Sequence, residues 1–397
     1  MIYLCSAFEG IEQGRTKPLM TVAYDDENKQ FHCLNFHCSK QTMKSVGDGV
    51  ERLSKLVAGR DVTCLDSKAH YDCFPLAPKR CWEAMPTVHI EKLKDVKQMK
   101  AFLIKCLTRM RKIAPAAWRR LYASAAETYS ELQRRDVISN GSRHRAIYHL
   151  DTVSGRSRVT SFPLQTMTSD LHPDGDRHWF IHLDWLSADL RAASLLSGDV
   201  AMQGTFLRSD PYTTMSKMLG VDREECKTAM LQAIYSLSAD NEILVCFPTF
   251  RDWMAKQIAA VRDGTPISTL LGRKFVRTQI NGEKTIFNAT IQGTVAHAMH
   301  ASLRRIYDKW PDNLFTELQD SIVLIAAKDE IEQVLSVAVP IMLRPFAGLL
   351  KSNPTFPLRI SIGKRWRKWQ TFKEVRESDE QTEPEESGEK QKEKAKS

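Results

Sequence analysis

"FIHLDWLSADLRAASLLSGD", residues 180–199, decides how this chain is to be read. The apolar run "HWFIHL" ends on a carboxylate, Asp184, and a helix that begins near Ser187 offers a second, Asp189. A matching acid stands 136 residues after Asp184, in "LFTELQDSIVLIA" (314–326). There Asp320 sits in a tight turn between two apolar runs, the pattern of a β-hairpin with an acid at its tip. Taken alone, Asp184 reads best as a helix cap and Asp320 as a turn residue. Brought together by the fold, they would offer oxygen ligands to two Mg²⁺ ions, whose octahedral geometry accepts one or two carboxylates with phosphate oxygens and water. Two such ions, about 3.5–4 Å apart, clamp the attacking and leaving oxygens of a phosphoryl transfer.

A third segment bears on that choice. "DREECKTAMLQAIYS" (222–236) spaces Arg223, Lys227, Leu231 and Tyr235 four apart, along one helix face. Two cations one turn apart suit a triphosphate, Arg as a planar fork and Lys as a point charge. An aromatic two turns further on suits stacking on a base. Generic amphipathic helices give the same spacing.

The rest of the chain sets bounds. Its 397 residues suffice for two or three domains, and 42% hydrophobic with 26% charged residues is the composition of a globular protein. No apolar stretch reaches the length of a membrane span, and "MIYLCSAFEG" lacks the features of a signal peptide. Nine cysteines without a secretory signal point to reduced thiols and a cytoplasmic location. From Glu377 onward eight acidic and four basic side chains net −4, so the body before it carries +13 against +9 for the whole. A body that basic favours a polyanionic partner.

The expected fold class is α+β. Residues 1–75 read as a small α/β layer of short strands with one helix, "VERLSKLVAG". A Pro-containing linker, 73–86, leads into a helical region, 76–141, whose cations suit either solvated faces or contacts to a phosphate backbone. Strands and helices mix over 142–371, and 372–397 reads as a disordered charged tail. "FHCLNFHCSK" invites a zinc reading, but its alternation puts Cys33 and Cys38 on opposite faces of a strand, with no clean CxxC or HxxxH pair to complete a site. His297 and His300, three apart on an expected helix, read as ordinary histidines rather than ligands.

Together the segments of 145–370 resemble the family A DNA polymerases, and they occur in that family's order. "TVSGRSRVTSFPLQTM" is similar to the T-x-x-G-R-x-S…L-Q segment, "LDWLSADLRAASLLSGD" to motif A, and the Arg223-to-Tyr235 helix to motif B. "TLLGRKF" resembles the T-x-x-G-R-R stretch and "NATIQGTVAHAM" the N-x-x-x-Q-G-T stretch. "LQDSIV" stands where motif C has V-H-D-E-L-V, and "GKRWRKW" resembles the terminal G-x-x-W.

The resemblance implies a right hand: a palm with an antiparallel sheet, trimmed helical fingers and a short helical thumb, preceded by a small α/β RNase H-like exonuclease remnant. Asp184 and Asp320 would hold two Mg²⁺ ions, with the Trp185 carbonyl as a further ligand. Asp189 would stand where the family's Glu screens the sugar 2′-position, Arg223 and Lys227 would hold the triphosphate, and Leu231 and Tyr235 would line the nascent base pair. Arg156, Asn288, Gln292 and Gln319 would contact primer and template near the minor groove, with Gln165 also on DNA, and Arg273 and Lys274 on backbone phosphates. The implied activity is template-directed addition of deoxynucleotides to a primer 3′-hydroxyl, its partners being primer–template DNA, deoxynucleoside triphosphates and, in the space left by trimmed fingers, a replisome partner. A single-subunit RNA polymerase, a primase-like enzyme and a catalytically silent DNA-binding protein are the alternatives.

Several positions depart from the family pattern. Ser321 replaces the acid after Asp320, Asp189 is one methylene shorter than Glu, Leu231 replaces an aromatic and Ser236 a glycine. Only eleven residues separate Tyr235 from Phe247, which is the basis for trimmed fingers. In the N-terminal layer Asp72 occupies an exonuclease Asp position, but Lys68 stands for Asn and only Glu9 remains of the early acid pair. The layer therefore reads as non-proofreading, and the short chain as phage-like.

Overall fold

The computed structural model describes residues 1–9, 17–35, 43–64, 68, 71, 80–83, 96–110, 116–139, 142–167, 171, 178–206, 210–235, 242–276, 280 and 282–376. Two five-stranded sheets organise them. The first contains β1 (Ile2–Glu9), β2 (Lys17–Asp25), β3 (Gln30–Asn35), β4 (Asp61–Cys64) and β5 (Arg80–Glu83), in the order β3-β2-β1-β4-β5. Its first three strands are antiparallel, whereas β4 runs parallel to β1, and β5 to β4. A parallel return needs a crossover, supplied here by helix α1 (Met43–Val57).

Strand alternation sorts the side chains of this sheet. Ile2, Leu4 and Ala23 face one way and join Leu53 and Val57 of α1 in the main core. Cys5, Met20, Val22 and Tyr24 face the other way and meet Leu103, Leu107 and Met110 of helix α2 (Val96–Met110). The boundary expected at 75 therefore falls inside a packed layer, because β5 extends the sheet and α2 covers its second face. Part of the expected thumb thus belongs to this layer. Helix α3 (Ala117–Gln133), the remainder, lies between β5 and a later helix.

The second sheet carries the expected acids. It comprises β6 (His178–Trp185), β7 (Leu314–Glu317), β8 (Ser321–Ala327), β9 (Leu358–Gly363) and β10 (Gln370–Val375), ordered β7-β8-β6-β9-β10 and antiparallel throughout. β6 is central, and its Phe180, Ile181 and Leu183 are fully buried, as expected for a strand covered on both faces. On one face Trp185 Nε1 donates to the Met342 carbonyl at 2.9 Å, in helix α10 (Ile331–Leu343). On the other, Phe180 meets Phe315 and Trp366 edge-on, both at 5.4 Å between ring centres. Trp366 of "GKRWRKW" is thus core. The tail expected from 372 begins inside β10, and 377–397 lie outside the described residues.

Helices α4 (Ala188–Ser197), α5 (Val200–Gly204), α6 (Pro211–Leu219) and α7 (Arg223–Tyr235) follow β6. A short 3₁₀ turn, Glu242–Cys246, leads into α8 (Pro248–Arg262). Helix α9 (Gly293–Tyr307) is preceded by a π-helical turn, Asn288–Gln292, and packs on α3. Phe180→Ala should cost about 3–5 kcal/mol, the usual price of emptying a fully buried aromatic site, read from the shift in a urea unfolding curve.

Candidate active site

Register brings the two acids together. β6 pairs with β8 so that Asp184 lies opposite Ser321, and with β9 so that it lies opposite Arg359. The Trp185 amide donates to the Asp320 carbonyl at 3.3 Å, tying the hairpin tip to the strand end. The tip itself is closed by Leu318 N donating to Ser321 O at 2.8 Å, with Gln319 left-handed at φ +68°. Asp184 is no helix cap: Ser187 holds the N-cap position of α4, and no side chain caps that end.

Both acids line one cleft of about 240 Å³ with Asp189, Arg223, Lys227, Leu231 and Arg359. Burial pushes the Asp184 carboxyl up to about 7, and the neighbouring Asp320 adds to this, while Arg359 and Lys227 oppose it. Asp320 is raised as well, chiefly by burial, with Asp189 adding and Arg156 and Lys227 opposing. Two such acids side by side favour a bound cation over proton-free repulsion, and their oxygens suit Mg²⁺. Among the described residues no group of three or more His, Cys, Asp or Glu is placed to hold a metal ion, so the carboxylates of this cleft form no closed ligand set of their own.

Asp189 is held from two sides. Its Oδ1 accepts from Arg156 Nη2 and its Oδ2 from the Tyr235 hydroxyl, each at 2.6 Å. Burial and then the Asp189 charge hold the Tyr235 phenol well above its ordinary value, so it stays a donor. Gln292, at the end of the π-helical turn, also hydrogen-bonds Tyr235. Four residues expected in four separate motifs thus converge, and Arg156 is engaged with Asp189.

The two cations expected at a triphosphate present differently. Arg223 Nε donates to Asp210 Oδ2 at 3.0 Å and pairs with Glu224 as well. Asp210 also caps α6, accepting from Thr213 N at 2.9 Å. This partner was missed, although Asp-Pro at 210–211 is a recognisable helix-start signal. Lys227 is half-exposed, with a Glu224 carboxylate oxygen at 4.0 Å.

Other expected contacts are corrected. Arg273 is 4% exposed, with its guanidinium 4.7 Å from the Phe275 ring centre, 5.3 Å from Tyr122 and 6.0 Å from Trp118. So enclosed, and donating to the Ser154 carbonyl at 3.3 Å, it does not reach a backbone phosphate. Gly155 permits this cage: at φ +83°, a Cβ there would lie 2.3 Å from the Tyr122 hydroxyl oxygen. Lys274 and Gln319 are exposed and Asn288 half-buried, so all three remain reachable. Gln165 is turned into the protein, donating to Glu317 Oε1 at 3.0 Å. Glu317, buried and pushed up to about 8 chiefly by burial, was not anticipated, hidden in a run of mixed polarity.

Ser321 Oγ pairs with His182 Nε2 at 2.9 Å, and burial pulls His182 down to about 4, keeping it neutral. His297 and His300 are buried in α9 and held neutral by the same cause. Lys68 donates to Gln133 Oε1 at 3.0 Å. Asp72, Ser236 and Cys38 lie outside the described residues, as does the Glu9 side chain.

No protein-family model matches the chain, and no curated protein matches it in sequence. In structure it is similar to the POL domain of Pol1 from M. smegmatis, solved in complex with DNA primer-template and dNTP. The TM-score is 0.65 at 11% identity, over 92% of this chain and 95% of that one. The chain therefore has a mixed α+β fold of the DNA polymerase kind. Among the described residues no helix is long and apolar enough to cross a membrane.

The raised Asp184 carboxyl has a thermodynamic consequence. Its stabilising effect is fully present below its ordinary value of 3.8 and is lost as pH rises through about 7, because the unfolded chain releases that proton first. Between pH 4 and pH 7 the thermal stability of the metal-free protein should therefore change less favourably than that of Asp184→Asn, a comparison in which the opposite contributions of the buried, neutral His182, His297 and His300 cancel. Melting temperatures across that range, in chelator, check this; equal slopes in the two proteins would refute it.

Proposed function

We propose that the chain is a template-directed DNA polymerase that adds deoxynucleotides to a primer 3′-hydroxyl without proofreading. The observation that carries this reading is the gathering of Asp184, Asp320, Asp189, Arg223 and Lys227 in one cleft. The similarity of the fold to a domain solved with DNA primer-template and dNTP supports it. Asp184, Asp320 and the Trp185 carbonyl would hold two Mg²⁺ ions, which when bound supply charge neutralisation and a more acidic primer hydroxyl.

The remaining work falls to positioning. Lys227 and Arg223 lie one turn apart and take the triphosphate, which requires Arg223 to exchange Asp210 for phosphate oxygens. Tyr235 and Leu231 shape the place of the new base pair. Asp189, fixed by Arg156 and Tyr235, stands at the sugar. Arg359, opposite Asp184, adds positive charge to the same cleft. Lys274, Asn288, Gln292 and Gln319 are the DNA contacts we retain. The N-terminal layer we read as an exonuclease remnant, since its five strands form one mixed sheet with α1 and α2 on its two faces and its early acid pair is incomplete in sequence.

The shorter Asp189 favours one second reading, an enzyme that accepts ribonucleotides. Primer extension with Mg²⁺, comparing dNTPs with rNTPs, separates the two. Asp184→Ala and Asp320→Ala should each lower dNTP extension by at least about 10³-fold with primer–template affinity retained. Extension that survives both substitutions would refute the reading, and rNTP preference would move it to an RNA polymerase. Asp189→Glu should raise the dNTP-over-rNTP ratio in kcat/KM by about tenfold, roughly 1.4 kcal/mol, through the longer screen at the sugar.

A further inference from the structure

One buried side chain joins the segment before β6 to the hairpin that carries Asp320. Glu317 is 1% exposed and closes β7, three residues before that acid. Its Oε1 receives Gln165 Nε2 at 3.0 Å and the Ser157 hydroxyl, and its Oε2 accepts from the Gln319 amide at 2.7 Å. Gln319 is the left-handed residue of the turn, a conformation that non-glycine residues adopt reluctantly. The hydrogen bond to its amide therefore holds the backbone in the bend that presents Asp320. The Asp320 amide continues the arrangement, donating to Leu318 O at 2.9 Å.

Counting donors shows why a carboxyl is needed. Gln165 Oε1 is already taken by Val159 N at 3.2 Å, so its Nε2 must point at Glu317 and at the Ser157 carbonyl, 3.2 Å away. Gln319 N is a donor too. Both oxygens at 317 must accept, which a carboxyl does in either protonation state because its proton can go to the Ser157 hydroxyl, whereas an amide there would set one N–H against another on one side.

We propose that Glu317 is a positioning residue for Asp320, latching the metal-binding turn to the Ser157–Gln165 segment. The effect on catalysis rests on the polymerase reading above; the effect on the turn does not. Glu317→Gln tests it against the swap Gln165→Glu/Glu317→Gln, which moves the carboxyl to the other partner, where its proton can be donated to the Ser157 carbonyl while its oxygens accept from the amide now at 317. Two quantities are read on the full chain: amide hydrogen exchange of peptides covering 314–327, and the Mg²⁺ concentration giving half-maximal primer extension. In Glu317→Gln, exchange at the tip should accelerate about tenfold and the Mg²⁺ midpoint rise about tenfold, both recovering in the swap. Unchanged exchange and midpoint in the single variant would overturn the proposal, as would a folded swap that recovers neither. Should Glu317→Gln not fold, Glu317→Asp must show both changes in the same direction, and its failure to do so counts equally against the idea. A wild-type chain that extends no primer refutes the polymerase reading, while the exchange measurement still decides the role of Glu317.

Discussion

The antiparallel pairing of β6 with β8 is the constraint on which the rest depends. A slip of one residue would turn every side chain to the other face, taking Asp184 from the cleft and Leu183 from the core. The register is protected by what it buries. Phe180 is packed against Phe315 and Trp366, Trp185 is bonded to α10, and the Asp320 carbonyl is held by Trp185 N. The apolar side chains that stabilise the sheet and the acids that make it chemically useful are thus located by one set of hydrogen bonds.

Around that sheet the charged groups are arranged in opposition. Lys227 and Arg359 moderate the repulsion between Asp184 and Asp320, and Arg156 with Tyr235 pins Asp189. Arg223 waits on Asp210. Arg223, Lys227 and Arg359 each have a carboxylate to answer, so the polyphosphate proposed for this cleft would enter by exchange of partners rather than by filling an unpaired charge. Exchange of this kind favours ligands that can replace every bond they displace.

Legibility from sequence followed the range of the forces involved. The hairpin at 314–326, the strand ending at Asp184 and the helical face from Arg223 to Tyr235 rest on local periodicity, and the structure contains all three. Arg273 could not be placed, because what encloses it includes Trp118 and Tyr122, some 150 residues away. Glu317 escaped notice because its meaning lies in Ser157 and Gln165, which nothing adjacent to it announces. The layer boundary failed for a different reason: β5 is only four residues long, too short for alternation to register.

The position of α3 has a consequence for how this protein could change over time. Its Tyr122 and Tyr129 pack beside His300 of α9, and its other contacts reach β5, so one continuous core runs from Ile2 to Trp366. An N-terminal layer joined in this way is not an appendage that could be discarded without opening the core it shares with the second sheet. Its buried apolar faces are under the same selection as the residues that pack behind the cleft. The layer is thus a foundation for the rest of the chain, whatever chemistry of its own it carries.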